Sequence, residues 1–458
     1  METLIVRIDR MAPEGSGIGR PKDSSRIVFV PFSAPGDLLE VEVTETKPTY
    51  LRGRARKVIE AGPGRVLPAC PLHFDPSRPG PACGGCDWQH LDAERQLAAK
   101  RDIVVDALRR IAKERAVEVL PVKPSPLAWG YRNKVQVPFG RGADGTPVAG
   151  FYATGSHRIV PLESCPVQTG LSVDILRRVR EVAGTLGWRP YEEDAGRGWL
   201  RHLYVRTNLQ GQAIAAVVTR DDSLPGKDEF VRAMRSSFPT LVGLYQNVQP
   251  MKTSVILGPT WKTLWGARGL TEKIGRLSFF FSPGSFLQVN TGAAALLYDE
   301  ALAALTEGGR TFPLLFDVYC GVGTIALWLA GAADRVIAIE ENRAAVADAA
   351  VNTRVNNIRN VRFLAGRAES LLSRSLREAG GPAAAVVDPP RSGLTPPVLR
   401  CLTAKPIRRL VYVSCDPATF SRDAGYLLRS GFRLKRVQPL DLFPQTSHVE
   451  LVGLFDRS

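Results

Sequence analysis

Three short stretches in the C-terminal part of the chain set reactive side chains where apolar runs stop. VYVSCDP leaves Cys415 at the end of a buried strand-like run, AVVDPPR does the same for Asp388, and TSHVELVGLF carries Glu450. A lone cysteine on a strand more often fills a core, and its place between an apolar run and an Asp-Pro turn is what points this thiol towards a nucleophile's role. One reaction that needs such a thiolate is addition to C6 of a pyrimidine ring, which makes C5 carbanion-like and able to attack a methyl sulfonium. The C5 proton must then be removed before the thiolate is expelled, and Glu450 is a candidate base for that step. A solvated strand residue is the plainer reading of Glu450, and its spacing alone does not choose between them.

A second set of residues reads as a nucleotide crevice. FDVYCGVGTIALWLA is an apolar strand, a glycine turn and a helix, and Gly321 and Gly323 let the backbone approach a ligand at the strand end. The next strand, RVIAIEEN, brings Glu340 to the distance along the chain at which an acid accepts hydrogen bonds from ribose hydroxyls. The turn lacks the third glycine of the pyrophosphate fingerprint, which favours an adenosine ligand without phosphates, and S-adenosylmethionine meets that description. A third set is the cysteines outside this region: Cys70, Cys83 and Cys86 in CGGC, and Cys165. Four thiolates can hold zinc tetrahedrally or a 4Fe–4S cluster, and the residues themselves leave both open. Cys320 and Cys401 read as packing residues.

The elements that must hold these groups follow from periodicity. Residues 1–60 read as short strands of a small oligonucleotide-binding-type barrel: LIVRIDRM, RIVFVPF, LLEVEVTET and LRGRARKVIE, with GSGIG as a turn. A Pro- and Gly-rich stretch follows to residue 84, and the run from Leu91, LDAERQLAAKRDIVVDALRRIA, has the 3.6-residue period of a long amphipathic helix. Residues 61–285 mix strand-like runs with helical stretches, an α+β region in which the helix over 91–115 is free to pack on the catalytic part. From 286 to 458 helices alternate with apolar strands, the pattern of an α/β, Rossmann-like doubly wound sheet. The formal charge of +15 points to a polyanionic partner. Charge is nearly balanced before residue 120, apart from Arg52, Arg54, Arg56 and Lys57, and in the central region WGYRNKV sets Arg132 and Lys134 beside Trp129 and Tyr131. No apolar run is long enough for a bilayer and no signal peptide is evident, so a cytoplasmic protein is expected.

Taken together, the motifs resemble the RNA 5-methyluridine methyltransferase family over essentially the whole chain. The resemblance is to its 23S ribosomal RNA branch, with an N-terminal TRAM domain and an iron–sulfur cluster. By that resemblance SFLQVN gives Gln288 a contact with S-adenosylmethionine, DVYCGVGT gives one to Tyr319 and to the Thr324 position, and AIE gives Glu340 the ribose. DPPRSG assigns Asp388 to the cofactor and base pocket, SCDPATFSRD makes Cys415 the nucleophile, and HVE makes Glu450 the general base. The four outlying cysteines become ligands of a 4Fe–4S cluster, structural or RNA-facing. Thr324 and Asp416 stand where the family commonly has Asn, and Cys70 lies farther from Cys83 than is usual for it. The implied protein is a monomeric RNA (uracil-C5)-methyltransferase acting on 23S ribosomal RNA. Transfer RNA as substrate, a 5-methylcytidine enzyme and a non-catalytic RNA-binding assembly protein are the alternatives.

Overall fold

The computed structural model describes residues 2–21, 25–78, 80, 82–192, 195–377 and 381–457. Two compact units result, the first made of residues 1–79, 86–126 and 292–458, the second of 80–85 and 127–291.

The first unit begins with β1 (Thr3–Met11), β2 (Gly17–Pro21), β3 (Ile27–Val30), β4 (Leu38–Thr46) and β5 (Tyr50–Glu60), which close into a barrel in the order β1-β2-β3-β5-β4. Alternating Val6, Ile8, Val28, Val30, Leu39 and Val41 fill it. Of the segment read from sequence as a glycine turn, Gly15 does sit in the turn, at φ +90°, but Gly17 and Gly19 lie within β2. They are glycines because a Cβ on Gly17 would sit 2.1 Å from Ser33 Oγ and one on Gly19 2.2 Å from the Arg7 carbonyl. On β5 the side chains of Arg52, Arg54, Arg56 and Lys57 face solvent. Arg56 pairs with Glu42, Arg52 lies over the rings of Phe29 and Tyr50, and Arg54 lies over Phe74.

Helix α1 (Ala93–Ala107) follows, capped by Asp92, which accepts from the Arg95 N–H, and runs into a π-helical turn at Leu108–Ala112. Its apolar stripe closes a small core with Met11, Ala34 and Trp88, and the Trp88 indole donates to the Gly15 carbonyl at 2.9 Å. Its polar side faces a segment near the C-terminus. Gln96 exchanges hydrogen bonds with Gln445, and the Lys100 ammonium, wholly buried, donates to Asp441 at 2.5 Å and to the Phe443 carbonyl at 3.1 Å. Strand β6 (Glu118–Val119) then leads out of this part.

The second unit is a mixed sheet of β7 (Lys134–Arg141), β8 (Pro147–Tyr152), β9 (Ile159–Pro161), β10 (Leu200–Thr207), β11 (Ala213–Thr219), β12 (Leu241–Val248) and β13 (Thr260–Gly266), in the order β13-β12-β11-β10-β7-β8-β9. Helices α2 (Gly170–Thr185) and α3 (Lys227–Ser237) bury their apolar stripes on it, and a hairpin of β14 (Leu270–Ile274) and β15 (Leu277–Phe281) completes the unit. Of the two rings beside Arg132 and Lys134, Tyr131 is buried, whereas Trp129 is exposed.

The chain returns to the first unit with α4 (Thr291–Thr306), β16 (Phe312–Val318), α5 (Thr324–Leu329), β17 (Ala333–Glu340), α6 (Arg343–Val355), β18 (Val361–Ala365), α7 (Ala368–Arg377), β19 (Ala383–Val387), α8 (Pro396–Leu402), β20 (Ile407–Ser414), α9 (Pro417–Arg429), β21 (Arg433–Leu440) and β22 (Glu450–Asp456). The sheet order is β18-β17-β16-β19-β20-β22-β21-β6, with β16 to β20 parallel and β22 antiparallel to its neighbours. Strand order reverses between β16 and β19, which opens a crevice at their carboxyl ends. No helix among the described residues is long and apolar enough to cross a membrane.

The Lys100–Asp441 pair ties α1 to the segment that precedes β22. Lys100→Met leaves the Asp441 carboxylate buried without its partner, so it should destabilise the protein by about 3 kcal/mol or more, measurable by urea denaturation. A midpoint equal to wild type would show that the pair does not hold the two parts together.

Candidate active site

Five expected site residues lie along one edge of the sheet in the first unit, four at or just past the carboxyl end of a parallel strand and Glu450 at the amino end of an antiparallel one. Tyr319 follows β16, Glu340 ends β17, Asp388 follows β19, Cys415 follows β20, and Glu450 opens β22. Thr324 is the first residue of α5. Gln288 belongs to the second unit, where its backbone carbonyl accepts from Arg206 Nη2 at 2.7 Å.

The turn after β16 is tightly specified. Tyr319 has φ +72°, a conformation that costs a non-glycine residue energy and tends to mark a functional loop. Gly323, at φ +86°, could not carry a Cβ, which would lie 2.7 Å from the Phe363 ring. Asn352 donates to the Val322 carbonyl and fixes the turn from α6. Glu340 reaches across from β17: its carboxylate accepts from the Gly321 N–H at 3.1 Å and the Asn342 N–H at 2.7 Å. A backbone surface that admits close approach, with a carboxylate beside it, fits the adenosine part of S-adenosylmethionine.

Register brings the thiol and the carboxyls together. Ser414 pairs with Leu451 in the antiparallel β20–β22 ladder, so one further step sets Cys415 opposite Glu450. Asp388 leaves β19 next door, its N–H directed at the Val318 carbonyl at 3.3 Å. The loop after it, DPPRSG, is braced from α9: Asp423 Oδ2 accepts from the Leu394 N–H and the Tyr412 hydroxyl, and Arg422 donates to the Ser392 carbonyl. Arg391 on that loop reaches the His448 ring at 3.2 Å. Arg391 and His448 were not singled out from sequence, although they flank DPP and the final Glu. Asp416, which stands beside the thiol, turns its carboxylate into the start of α9, where it accepts from the Thr419 N–H at 2.8 Å. It therefore serves as the N-cap, the task an Asn performs equally well.

Burial dominates the protonation of this cluster. It pushes the Cys415 thiol up to about 12, helped by the Glu450, Asp388 and Asp416 carboxyls and opposed by the Arg391 guanidinium. Burial lifts Glu450 to about 8, with Asp388 adding and Arg391 opposing, and it lifts Asp388 to about 7. The Tyr319 hydroxyl is pushed up to about 12, first by burial and then by Glu369 and Asp423. Asp317, one residue before the end of β16, is wholly buried, and neither of its oxygens has a partner of hydrogen-bond geometry among the described residues. Burial and then Asp388 hold its carboxyl well above the usual range, an effect that the backbone N–H of Ala326 only partly offsets.

The four outlying cysteines divide between the units, Cys70 and Cys86 in the first, Cys83 and Cys165 in the second. In the first, the Cys70 N–H donates to the Gln89 side chain; in the second, the Cys83 backbone pairs with that of Ala153 and Cys165 packs against the helix-bearing core. Among the described residues no group of three or more His, Cys, Asp or Glu side chains is arranged to hold a metal ion.

The orphaned carboxyl of Asp317 makes a testable contribution. Its folded pKa lies above its unfolded one, so folded protein keeps a proton that the unfolded chain releases, and stability falls as pH rises through and beyond the ordinary carboxylate range. Asp317→Asn removes that titration. Its melting temperature should fall less than that of the wild type between about pH 5 and pH 8, and parallel curves would show that Asp317 is ionised normally in the fold.

Comparison with known proteins adds the identity. Residues 2–55 match the TRAM domain, and residues 272–380 and 381–458 match the tRNA (Uracil-5-)-methyltransferase family. The chain is similar to an uncharacterized RNA methyltransferase of Halalkalibacterium halodurans, 38% identical over 99% of this chain and 97% of that protein. It is equally similar to one of Gloeobacter violaceus, 38% identical over 100% of this chain and 97% of that one. Among solved structures it resembles the Pyrococcus abyssi tRNA (uracil-54, C5)-methyltransferase in complex with S-adenosyl-L-homocysteine, with a TM-score of 0.77 and 28% identity over 99% of both chains. The chain therefore belongs to the tRNA (uracil-5-)-methyltransferase family of S-adenosylmethionine-dependent RNA methyltransferases, with a TRAM domain at its N-terminus.

Proposed function

We propose that this enzyme methylates C5 of a uridine in RNA through a covalent bond from Cys415 to C6 of the base. The observation that carries the reading is the register that sets Cys415 opposite Glu450, with Asp388 on the adjoining strand end. S-adenosylmethionine supplies the methyl group as an electrophilic sulfonium, and Tyr319, Thr324, Glu340 and Asp388 are the residues of the first unit proposed to bind it, with Gln288 proposed on its sequence motif alone. The Cys415 proton passes to the neighbouring Asp388 carboxylate as its sulfur adds to C6, and the ring electrons move to C5. With the methyl group in place, Glu450 takes the remaining C5 proton, C5=C6 re-forms, and the thiolate leaves. A carboxyl with a pKa near 8 is matched to that exchange at neutral pH, where it is neither a strong acid nor fully ionised. The base has to leave its stack to meet these groups, so a looped or flipped nucleotide is the expected substrate.

The proposed target is 23S ribosomal RNA in the cytoplasm, on the strength of the TRAM domain combined with the four-cysteine pattern, acted on by a monomer. Transfer RNA is the second reading, favoured by the similarity to a tRNA (uracil-54, C5)-methyltransferase. Mapping 5-methyluridine in both RNAs of a deletion strain separates them. Cys70, Cys83, Cys86 and Cys165 are proposed as ligands of one 4Fe–4S cluster on the sequence pattern alone, since their described side chains form no metal group. Protein purified without oxygen should then hold about four irons per chain. Stoichiometric zinc without iron would overturn this.

Incubation with RNA and radiolabelled S-adenosylmethionine tests the reaction. Cys415→Ala should transfer no label while keeping RNA affinity near wild type, because backbone phosphates supply most of the binding. Glu450→Gln should add to the base and accept the methyl group but stall before elimination, leaving a protein–RNA adduct on a denaturing gel. Normal turnover with no shifted band would remove Glu450 from the mechanism.

A further inference from the structure

On the second unit, Lys134 at the start of β7 pairs in register with Arg206 on β10. Two like charges directly opposite one another destabilise an antiparallel pair, and Lys134 is mostly buried as well. Burial, with Arg206 and then Arg132 adding to it, lowers its ammonium to about 8. Such an arrangement persists only where something offsets it.

The offset for Arg206 is visible. It donates to the carbonyls of Leu287 and Gln288 at 3.0 and 2.7 Å and lies over the Phe281 ring at 5.1 Å. The acid that Arg206 influences, Glu272, is already engaged by Thr291, Asn133 and the Leu209 N–H. Lys134 has no comparable offset. Among the described residues neither its ammonium nor the Arg132 guanidinium makes a hydrogen bond or ion pair with an acid. Lys134 and Arg132 are two positions apart on an extended segment, so their side chains leave the same side of the chain. They differ from the barrel cations, where Arg56 and Arg52 already face Glu42 and Glu45.

We infer that Lys134 and Arg132 form the seat of one backbone phosphate of the RNA substrate. A phosphodiester supplies the missing negative charge, accepts from both cations at once, and turns a repulsive pair into a bridged one. The inference rests on RNA being the substrate, and its test reads binding rather than methyl transfer, so it stands or falls separately from the role of Cys415.

The experiment is equilibrium binding of a uridine-rich single-stranded RNA oligonucleotide across salt concentrations, with Lys134→Met, Lys134→Arg and Arg132→Ala, beside thermal melting of each variant. Lys134→Met should weaken binding about tenfold, as expected for loss of a charged hydrogen bond. It should also lower the slope of log affinity against log salt by about 0.7, the value for one phosphate contact on a single strand. Its melting temperature should equal or exceed that of the wild type, because the repulsion is gone, and Lys134→Arg should retain affinity. A folded Lys134→Met with unchanged affinity and slope would overturn the proposal. So would a lower melting temperature with affinity intact, which makes the lysine structural. Strong stabilisation of the wild type by inorganic phosphate, without competition against the oligonucleotide, would assign the site to a free anion and overturn it too.

Discussion

Exclusion of water at the carboxyl ends of β16, β19 and β20 and the amino end of β22 governs the chemistry available to this protein. A thiol and three carboxyls meet there, and each would be stabilised as its charged form by solvent that the fold removes. Their protons are retained for a physical reason. Four negative groups could not ionise together in one dry crevice, and the cations that oppose them are few, with Arg391 the one that acts on both Cys415 and Glu450. A nucleophile stored as a thiol is inert towards stray electrophiles, and a carboxyl held near neutral pKa can pass a proton in either direction.

Holding that cluster together requires elements far apart in sequence. Strands β19 and β20 are parallel neighbours, but Glu450 arrives on an antiparallel strand whose approach is set from outside the sheet. Helix α1 supplies that control, gripping the stretch from Asp441 to Gln445 through Lys100 and Gln96 and joining it to the barrel through Trp88. The TRAM barrel is therefore part of the same compact unit as the thiol. Asp423 performs the equivalent service on the other side, locking the loop after Asp388 to α9 with bonds to Leu394 and Tyr412.

Much of this was legible in the residues, and the exceptions have physical causes. Parallel strands bury both faces, so VYVSC and AVVD announce themselves as apolar runs that stop at a functional group. The period of α1 was readable for the same reason, though its partners, more than three hundred residues away in the chain, were not. Gly17 and Gly19 resembled a turn because glycine has two uses, and only a neighbour's position distinguishes a flexible hinge from a close contact. Asp416 stands where the family commonly has Asn; its direction towards Thr419, which no sequence pattern carries, makes it the N-cap of α9, while its charge adds to the upward push on the Cys415 thiol. Arg391, His448 and Arg206 escaped notice because arginine and histidine have no strong spacing signal, and their importance lies in what they face.

The most direct test of the account is the pH dependence of Cys415 alkylation in the unmodified protein, followed peptide by peptide by mass spectrometry. With the thiol held near 12, alkylation should be slow at neutral pH and keep accelerating well beyond the point at which a free cysteine, with its pKa of about 8.5, has levelled off. A Cys415 that alkylates rapidly at pH 7, with a midpoint at or below that of free cysteine, would contradict the claim that water exclusion keeps the nucleophile protonated.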